Sequence, residues 1–117
     1  MPHDKRDPAL LWDMIQAARE TRGFVANLTF HKYMQSRMTQ LAVERSIEII
    51  GEAAHKVSEA FRAEHPEIPW RSMIGQRNVI VHEYGEIRQE RLWIVATVRI
   101  PELIRLLEPL VPAEDKA

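Results

Sequence analysis

A regular stripe of apolar side chains in the middle of the chain constrains its fold more than any other feature. The stripe advances in alternating steps of four and three residues through Val43, Ile47, Ile50, Ala54, Val57 and Phe61. Such spacing is typical of one face of an amphipathic helix that packs against other helices. Gly51 lies beside this stripe, although glycine costs a helix about 1 kcal/mol relative to alanine. We therefore expect Gly51 to allow another helix backbone to approach closely.

Start and stop signals predict four helices along the chain. Asp7-Pro8 has the pattern of an N-cap followed by proline, a good helix start, and Pro101 should interrupt the last helix. The predicted helices run from residue 7 to about 23, from 38 or 39 to 65, from 69 to 84 and from about 88 to 110, with residues 27–30 as a connection.

These helices predict an all-α fold in a single domain spanning residues 1–117. Because the connections are short, we expect a mostly antiparallel, up-down bundle. Pro101 should kink the final helix or divide it, which gives four to five helices in all. The inward positions predicted for that helix are Leu92, Val95, Val98, Leu103, Leu106 and Leu110.

Composition restricts the environment and the function of the chain. There is no cysteine, which fits a reducing compartment and excludes disulfides and thiolate metal sites. The first residues lack the apolar core of a signal peptide, and no apolar run reaches the roughly 20 residues that span a bilayer. We expect a soluble, cytoplasmic protein. A net charge of −1 lacks the excess of Lys and Arg that generic nucleic-acid binders show, so any potential that attracts RNA must be local or assembled between subunits.

Residues 77–84 contain the candidate chemistry of the chain. Arg77 offers a guanidinium that can hold a phosphate bidentately, and the imidazole of His82 can accept or donate a proton near neutral pH. Together these two groups suffice in principle for metal-free RNA cleavage. Five residues of helix place them about 140° apart in azimuth, whereas Asn78 shares a face with His82, and Tyr84 lies nearly on the face of Arg77. Arg77 must therefore reach around the helix or face His82 of another subunit.

Structural roles compete with this chemical interpretation. His82 at a helix C-terminus is favoured by the helix dipole, and Arg77 can pair with Glu83 or another carboxylate while Tyr84 packs at a rim. Glu52 and His55 have the Glu-x-x-His spacing of di-iron bundles, but no second copy of that pair occurs. Glu52 is better explained by a bond across the bundle to Arg77 or Arg45.

Several ordered motifs resemble those of HepT-like toxins, small members of the HEPN superfamily of helical ribonucleases. Arg77, His82 and Tyr84 match the family's Arg-x4-His-x-Tyr motif. The similarity extends over roughly residues 8–110. Its other parts are residues 49–54 on the stripe helix, residues 65–70, 74–75 and 77–78 leading into the motif, and residues 92–93 and 100–103 in the final helix. One small departure is Gln76, where methionine is frequent.

The resemblance implies a homodimer whose two motif helices line one cleft and cleave RNA without a metal or other cofactor. His82 would act as general base or acid at the 2′-hydroxyl or the leaving 5′-oxygen. Arg77 would bind the scissile phosphate, and Asn78 would orient the substrate or His82. The expected product end is a 2′,3′-cyclic phosphate.

The resemblance also implies a partner and its mode of control. The partner is a nucleotidyltransferase antitoxin of the MntA type, which AMPylates the motif tyrosine, here Tyr84. Adenylates at Tyr84 would add negative charge and bulk beside Arg77 and so compete with RNA. The alternative function is a non-catalytic helical subunit that holds nucleotide or substrate for the nucleotidyltransferase. The intact Arg77 and His82 favour the enzyme, whereas the near-neutral charge favours the alternative.

Overall fold

The computed structural model describes residues 4–82 and 87–112, and it contains helices and no strand within those ranges. The prediction of an all-α fold is confirmed. None of the described helices combines the length and apolar character that crossing a bilayer requires. The elements are α1 (Asp7–Val25), α2 (Phe30–Gln35), α3 (Arg37–Lys56), α4 (Glu59–Glu64), α5 (Trp70–His82), α6 (Gln89–Ile94), a π-helical segment (Val95–Arg99) and α7 (Ile100–Leu107).

The long helix α3 is the centre of the bundle, with α1 on one side and α5 on the other, while α7 packs on α1. Two contacts show that α1 and α3 are antiparallel. The hydroxyl groups of Thr21 and Ser46 lie 2.6 Å apart, and Ser58, just beyond α3, bonds to Asp7 at the start of α1. The predicted bundle is thus built from α1, α3, α5 and the continuous α6–π–α7 helix, with α2 and α4 as short additions.

The apolar stripe forms the core as its spacing predicts. All of its members are buried except Phe61, which is half-buried against the same core. The C-terminal half of the stripe packs with Leu11, Met14 and Ile15 of α1. Its N-terminal half packs with Ile80 of α5, so the stripe contacts both neighbouring helices of α3.

Two boundaries of the predicted helices are wrong. The stripe helix does not continue to residue 65, because α3 ends at Lys56 and Val57 is extended. There Ser58 caps α4 by accepting a hydrogen bond from the backbone N–H of Phe61 at 3.2 Å, and this local cap competes with continuation of α3. Residues 27–30 are also not purely a connection, because Thr29 caps α2 by accepting from the N–H of Lys32 at 3.1 Å.

The final helix changes its geometry immediately before Pro101. The N–H of Ile100 bonds to the carbonyl of Val95, five residues back, which defines a π turn. A proline at the second position of α7 has no N–H to bond Thr97, which favours this break in the α-helical pattern. The extra residue in the turn shifts the inward face, so Ala96 is buried while Val98 is 61% exposed. The prediction that Val98 faces inward is therefore wrong.

The buried carboxylate of Asp7 joins the starts of α1 and α4, and its removal should destabilise the fold. Its two oxygens accept from the backbone N–H and the hydroxyl of Ser58 at 2.9 and 2.7 Å. We expect Asp7→Ala to lower the free energy of unfolding by about 2–3 kcal/mol, because buried donors lose a charged acceptor. Urea denaturation measures the change. The exposed Asp13→Ala on the same helix is the matched control, and an equal change in both variants would contradict this assignment.

Candidate active site

Helix α5 carries three of the predicted site residues, Arg77, Asn78 and His82, and it is α-helical through His82. The five residues between Arg77 and His82 therefore correspond to about 140° around the helix axis. Arg77 lies at the edge of α5 that meets α3, whereas His82 is exposed at the last helical residue. As the sequence predicts, the two residues do not share a face of one helix.

Gly51 fixes the backbone of Arg77 against α3. A Cβ atom built on Gly51 would overlap the Cβ of Arg77 and would lie 2.7 Å from the carbonyl oxygen of Met73. Neither of these atoms is the flexible end of a side chain, so only glycine fits at this crossing. The close approach predicted from Gly51 is confirmed. The crossing places the Cβ atom of Arg77 at the contact between α3 and α5.

The guanidinium of Arg77 meets two polar side chains. Nη1 donates a hydrogen bond to Oδ1 of Asn78 at 3.1 Å, and Nη2 lies 3.7 Å from Oε2 of Glu52. Nε is buried and has no hydrogen-bond partner among the residues that the structure describes. The Arg77 side chain is still 31% exposed, so an approaching anion can reach it. The exposed part of this guanidinium can bind a phosphate oxygen, whereas the buried Nε is closed to solvent.

His82, the other predicted catalytic residue, forms no bond with this cluster. Across residues 4–82 and 87–112, no hydrogen bond or ion pair holds the exposed side chain of His82, so its imidazole can contact a ligand. Glu83 and Tyr84 lie outside the described residues. Glu52 contacts Arg77 rather than Arg45, which instead pairs with Glu48.

The positions of Glu52 and His55 do not support the di-iron interpretation of their spacing. His55, the second member of the Glu-x-x-His pair, is exposed on α3, and Glu52 faces the guanidinium of Arg77. No group of three or more His, Asp or Glu side chains is arranged to hold a metal ion in the part of the chain that the structure describes.

A polar network that the sequence analysis missed anchors the start of α6, the helix that follows α5. The hydroxyl of Tyr33 donates to Oε1 of Gln89 at 2.7 Å, and Nε2 of Gln89 donates to Oε2 of Glu44 at 2.6 Å. Arg37 pairs with the same carboxylate at 3.3 Å. Burial, with Glu44 nearby, raises the pKa of Tyr33, so its phenol stays protonated as a donor. The feature of the sequence that could have indicated this network is the pair Gln40 and Glu44, two polar residues on the buried face of α3.

Comparisons with known proteins show the family of the chain. The family described as "Ribonuclease HepT-like" matches residues 14–110. A Methanocaldococcus jannaschii protein named "Putative RNase MJ1380" is 32% identical over 105 residues, which cover 89% of this chain and 96% of that protein. A Thermococcus cleftensis protein named "Probable ribonuclease HepT" is 35% identical over 100 residues, 86% of this chain and 91% of that protein. No solved structure matches the chain. The chain belongs to the HepT-like ribonuclease family.

Proposed function

We propose that this protein is a metal-independent endoribonuclease toxin in which Arg77 and His82 carry out the cleavage. Membership of a ribonuclease family and relatives named as RNases support the general activity. The observation that carries the assignment of residues is the state of Arg77, whose backbone is fixed at the α3–α5 crossing while its guanidinium stays accessible.

In the proposed reaction His82 takes the proton of the 2′-hydroxyl, and the 2′-oxygen attacks the adjacent phosphorus. The bond between phosphorus and the 5′-oxygen breaks, and the leaving oxygen receives a proton from a general acid or from water. The products are a 2′,3′-cyclic phosphate and a 5′-hydroxyl. Arg77 stabilises the negative charge that builds up on the phosphate oxygens, a contribution that typically lowers the barrier by several kcal/mol. Asn78 and Glu52 hold the guanidinium in place through their contacts with it.

A homodimer would bring Arg77 and His82 together, which their positions on one helix do not. The 140° between Arg77 and His82 is bridged if the two α5 helices of a dimer face each other. Large apolar side chains support such a contact, because Val79 on α5 is 42% exposed and Leu41 on α3 is 49% exposed. Mixing Arg77→Ala with His82→Ala subunits tests the arrangement. Recovery of cleavage in the mixture indicates a site shared between chains, and no recovery indicates that each chain carries its own site.

We further propose that a nucleotidyltransferase antitoxin of the MntA type controls the enzyme by AMPylation of Tyr84. Tyr84 follows His82 by two residues, so an adenylate there adds a phosphate close to the cleft and competes for Arg77. We expect co-expression with the partner to add whole AMP masses to the protein and to suppress cleavage. Intact-mass spectrometry measures this, with Tyr84→Phe as the matched variant. Retention of the added mass in Tyr84→Phe would exclude this residue.

The test of the catalytic proposal uses purified, unmodified protein and a labelled RNA oligonucleotide in the presence of EDTA. We expect cleavage that leaves cyclic phosphate ends, and a loss of about 10²–10³-fold in kcat for Arg77→Ala, the range seen when one oxyanion-stabilising donor is removed. Arg22→Ala, an exposed arginine on α1, is the control. Equal rates in Arg77→Ala and the control would exclude Arg77 from the chemistry.

The second candidate is a non-catalytic subunit that holds nucleotide or substrate for the nucleotidyltransferase. The net charge of −1 favours it, because a general RNA binder normally carries excess positive charge. Absence of RNA cleavage by the unmodified protein, combined with AMP transfer that depends on this subunit, would favour this function over the first.

A further inference from the structure

A groove of about 780 Å³ runs along the outer side of α5, between that helix and α4. Helix α4 contributes Glu59 and Arg62 to its walls, and the start of α5 contributes Arg71. Asn78 lines the other end of the groove and accepts the hydrogen bond from Nη1 of Arg77. The groove is therefore continuous with the candidate active site.

Three of the residues that α5 contributes to the groove form a stripe that also leads to His82. Arg71, Gly75 and Asn78 follow one another at steps of four and three residues, and His82 comes four residues later. These four positions share one face of the helix. From Arg71 to His82 the helix rises about 16 Å. At about 3.4 Å of rise per nucleotide in a stacked strand, a strand that reaches from Arg71 past the groove to His82 is about five nucleotides long.

The charges that line the groove favour an anionic ligand. Two guanidinium groups, those of Arg62 and Arg71, face a single carboxylate, that of Glu59. The Nε atom of Arg62 is buried and lacks a hydrogen-bond partner within the described ranges. Neither arginine forms an ion pair with another residue that the structure describes. This is the kind of local positive potential that RNA binding requires in a chain whose net charge is −1.

We propose that this groove binds the single-stranded RNA segment adjoining the scissile phosphate, with Arg62 and Arg71 on backbone phosphates. A volume of about 780 Å³ is that of a site for a drug-sized ligand, so it fits one or two nucleotides of a single strand rather than a duplex. Contacts with the phosphates position the strand and carry no sequence information. This inference rests on the proposed ribonuclease function and adds to it a substrate-positioning surface outside the Arg-x4-His-x-Tyr motif.

The first test measures binding independently of cleavage. A fluorescent 2′-O-methyl hexanucleotide lacks the attacking hydroxyl, so its affinity for the full-length protein is measurable by anisotropy at several salt concentrations. We expect Arg62→Gln and Arg71→Gln each to weaken binding about tenfold and to reduce the slope of log K against log salt by about 0.7, the value for one phosphate contact on a single strand. Arg22→Gln on α1 is the matched control. Affinities and slopes equal to the control would overturn the proposal.

Gly75 permits a second test that does not threaten folding. A Cβ atom at Gly75 meets nothing within 4 Å, and the position is in the interior of α5, so a side chain is accommodated and favours the helix. Gly75→Glu places a carboxylate in the groove and should weaken hexanucleotide binding at least tenfold without lowering Tm. Gly23→Glu, at an equally open position on α1, should leave binding unchanged. Equal binding by both glutamate variants would contradict the groove assignment.

Cleavage assays distinguish a failure of the groove proposal from a failure of the proposed ribonuclease function. If wild-type protein cleaves RNA but the groove variants bind the hexanucleotide normally, the groove proposal fails and the enzyme assignment stands. If the groove variants lose binding and the wild-type protein cleaves no RNA, the surface is supported and the catalytic proposal fails.

Discussion

Replacing His82 by alanine should reduce RNA cleavage by about 10²–10⁴-fold, the usual contribution of a general acid or base. The imidazole is the group proposed to take the proton from the 2′-hydroxyl, and alanine offers no substitute. Because His82 is exposed and bonds to no other described residue, the free energy of unfolding should change by less than about 0.5 kcal/mol. Loss of activity without loss of stability would separate a chemical role from a structural one.

The measurement is the initial rate of oligonucleotide cleavage by the unmodified protein, with urea denaturation on the same samples. His55→Ala is the matched control, since His55 is also exposed at the C-terminal end of a helix. We expect the control to retain the wild-type rate. Equal residual activity in the two variants would remove His82 from the mechanism, whereas a drop in stability confined to His82→Ala would favour the helix-capping role.

Replacing Gly51 by alanine should both destabilise the bundle and impair cleavage. The new methyl group would overlap the Cβ of Arg77 and press on the Met73 carbonyl, so α3 and α5 must separate. Overpacking of this kind typically costs about 1–3 kcal/mol and occasionally more. It exceeds the gain of about 1 kcal/mol from replacing glycine in a helix. Because the overlap is with a Cβ atom and a backbone carbonyl, the cost should lie near the upper end of that range, which leaves a net loss of about 2 kcal/mol. We also expect a reduced kcat, because the guanidinium moves away from its partners.

Gly23→Ala supplies the matched control for this variant, because a Cβ atom at Gly23 meets nothing within 4 Å and the residue lies within α1. There the same substitution should stabilise the protein by about 0.5–1 kcal/mol. Urea denaturation gives both values. A stabilised Gly51→Ala variant would show that the two helices yield easily and that the crossing does not fix Arg77.

The packing of the bundle could largely be predicted from the sequence, because it depends on periodic apolar spacing. The stripe on α3 predicted its buried face, and an unfavourable glycine beside the stripe predicted the close crossing with α5. The end of α3 could not be predicted in this way. The apolar period continues through Val57 and Phe61, while the break is stabilised by the local cap at Ser58 together with the bond from Ser58 to Asp7, 51 residues away. A pattern within one helix contains no information about such a distant partner.

For the candidate site, the sequence predicted single-helix relationships better than contacts between elements. The spacing of Arg77 and His82 correctly implied that they occupy different faces of α5. A bond from Glu52 to Arg77 was one of two options, and only the packing of α3 on α5 distinguishes it from a bond to Arg45. The groove arginine Arg62 was missed, because its relation to α5 depends on how the short helix α4 folds back. The π turn before Pro101 was likewise hidden, since a proline predicts an interruption but not its geometry.

The crossing of α3 and α5 at Gly51 limits the ways in which this protein can be switched off. Arg77 is part of α5 and packs against α3 at that crossing. It does not lie on a loop that can change conformation at low cost. A regulator that acted by displacing the backbone of Arg77 would have to separate α3 from α5. Inhibition is therefore expected to work by occupancy, with a bulky or anionic group competing for the cation while the scaffold beneath it keeps its shape.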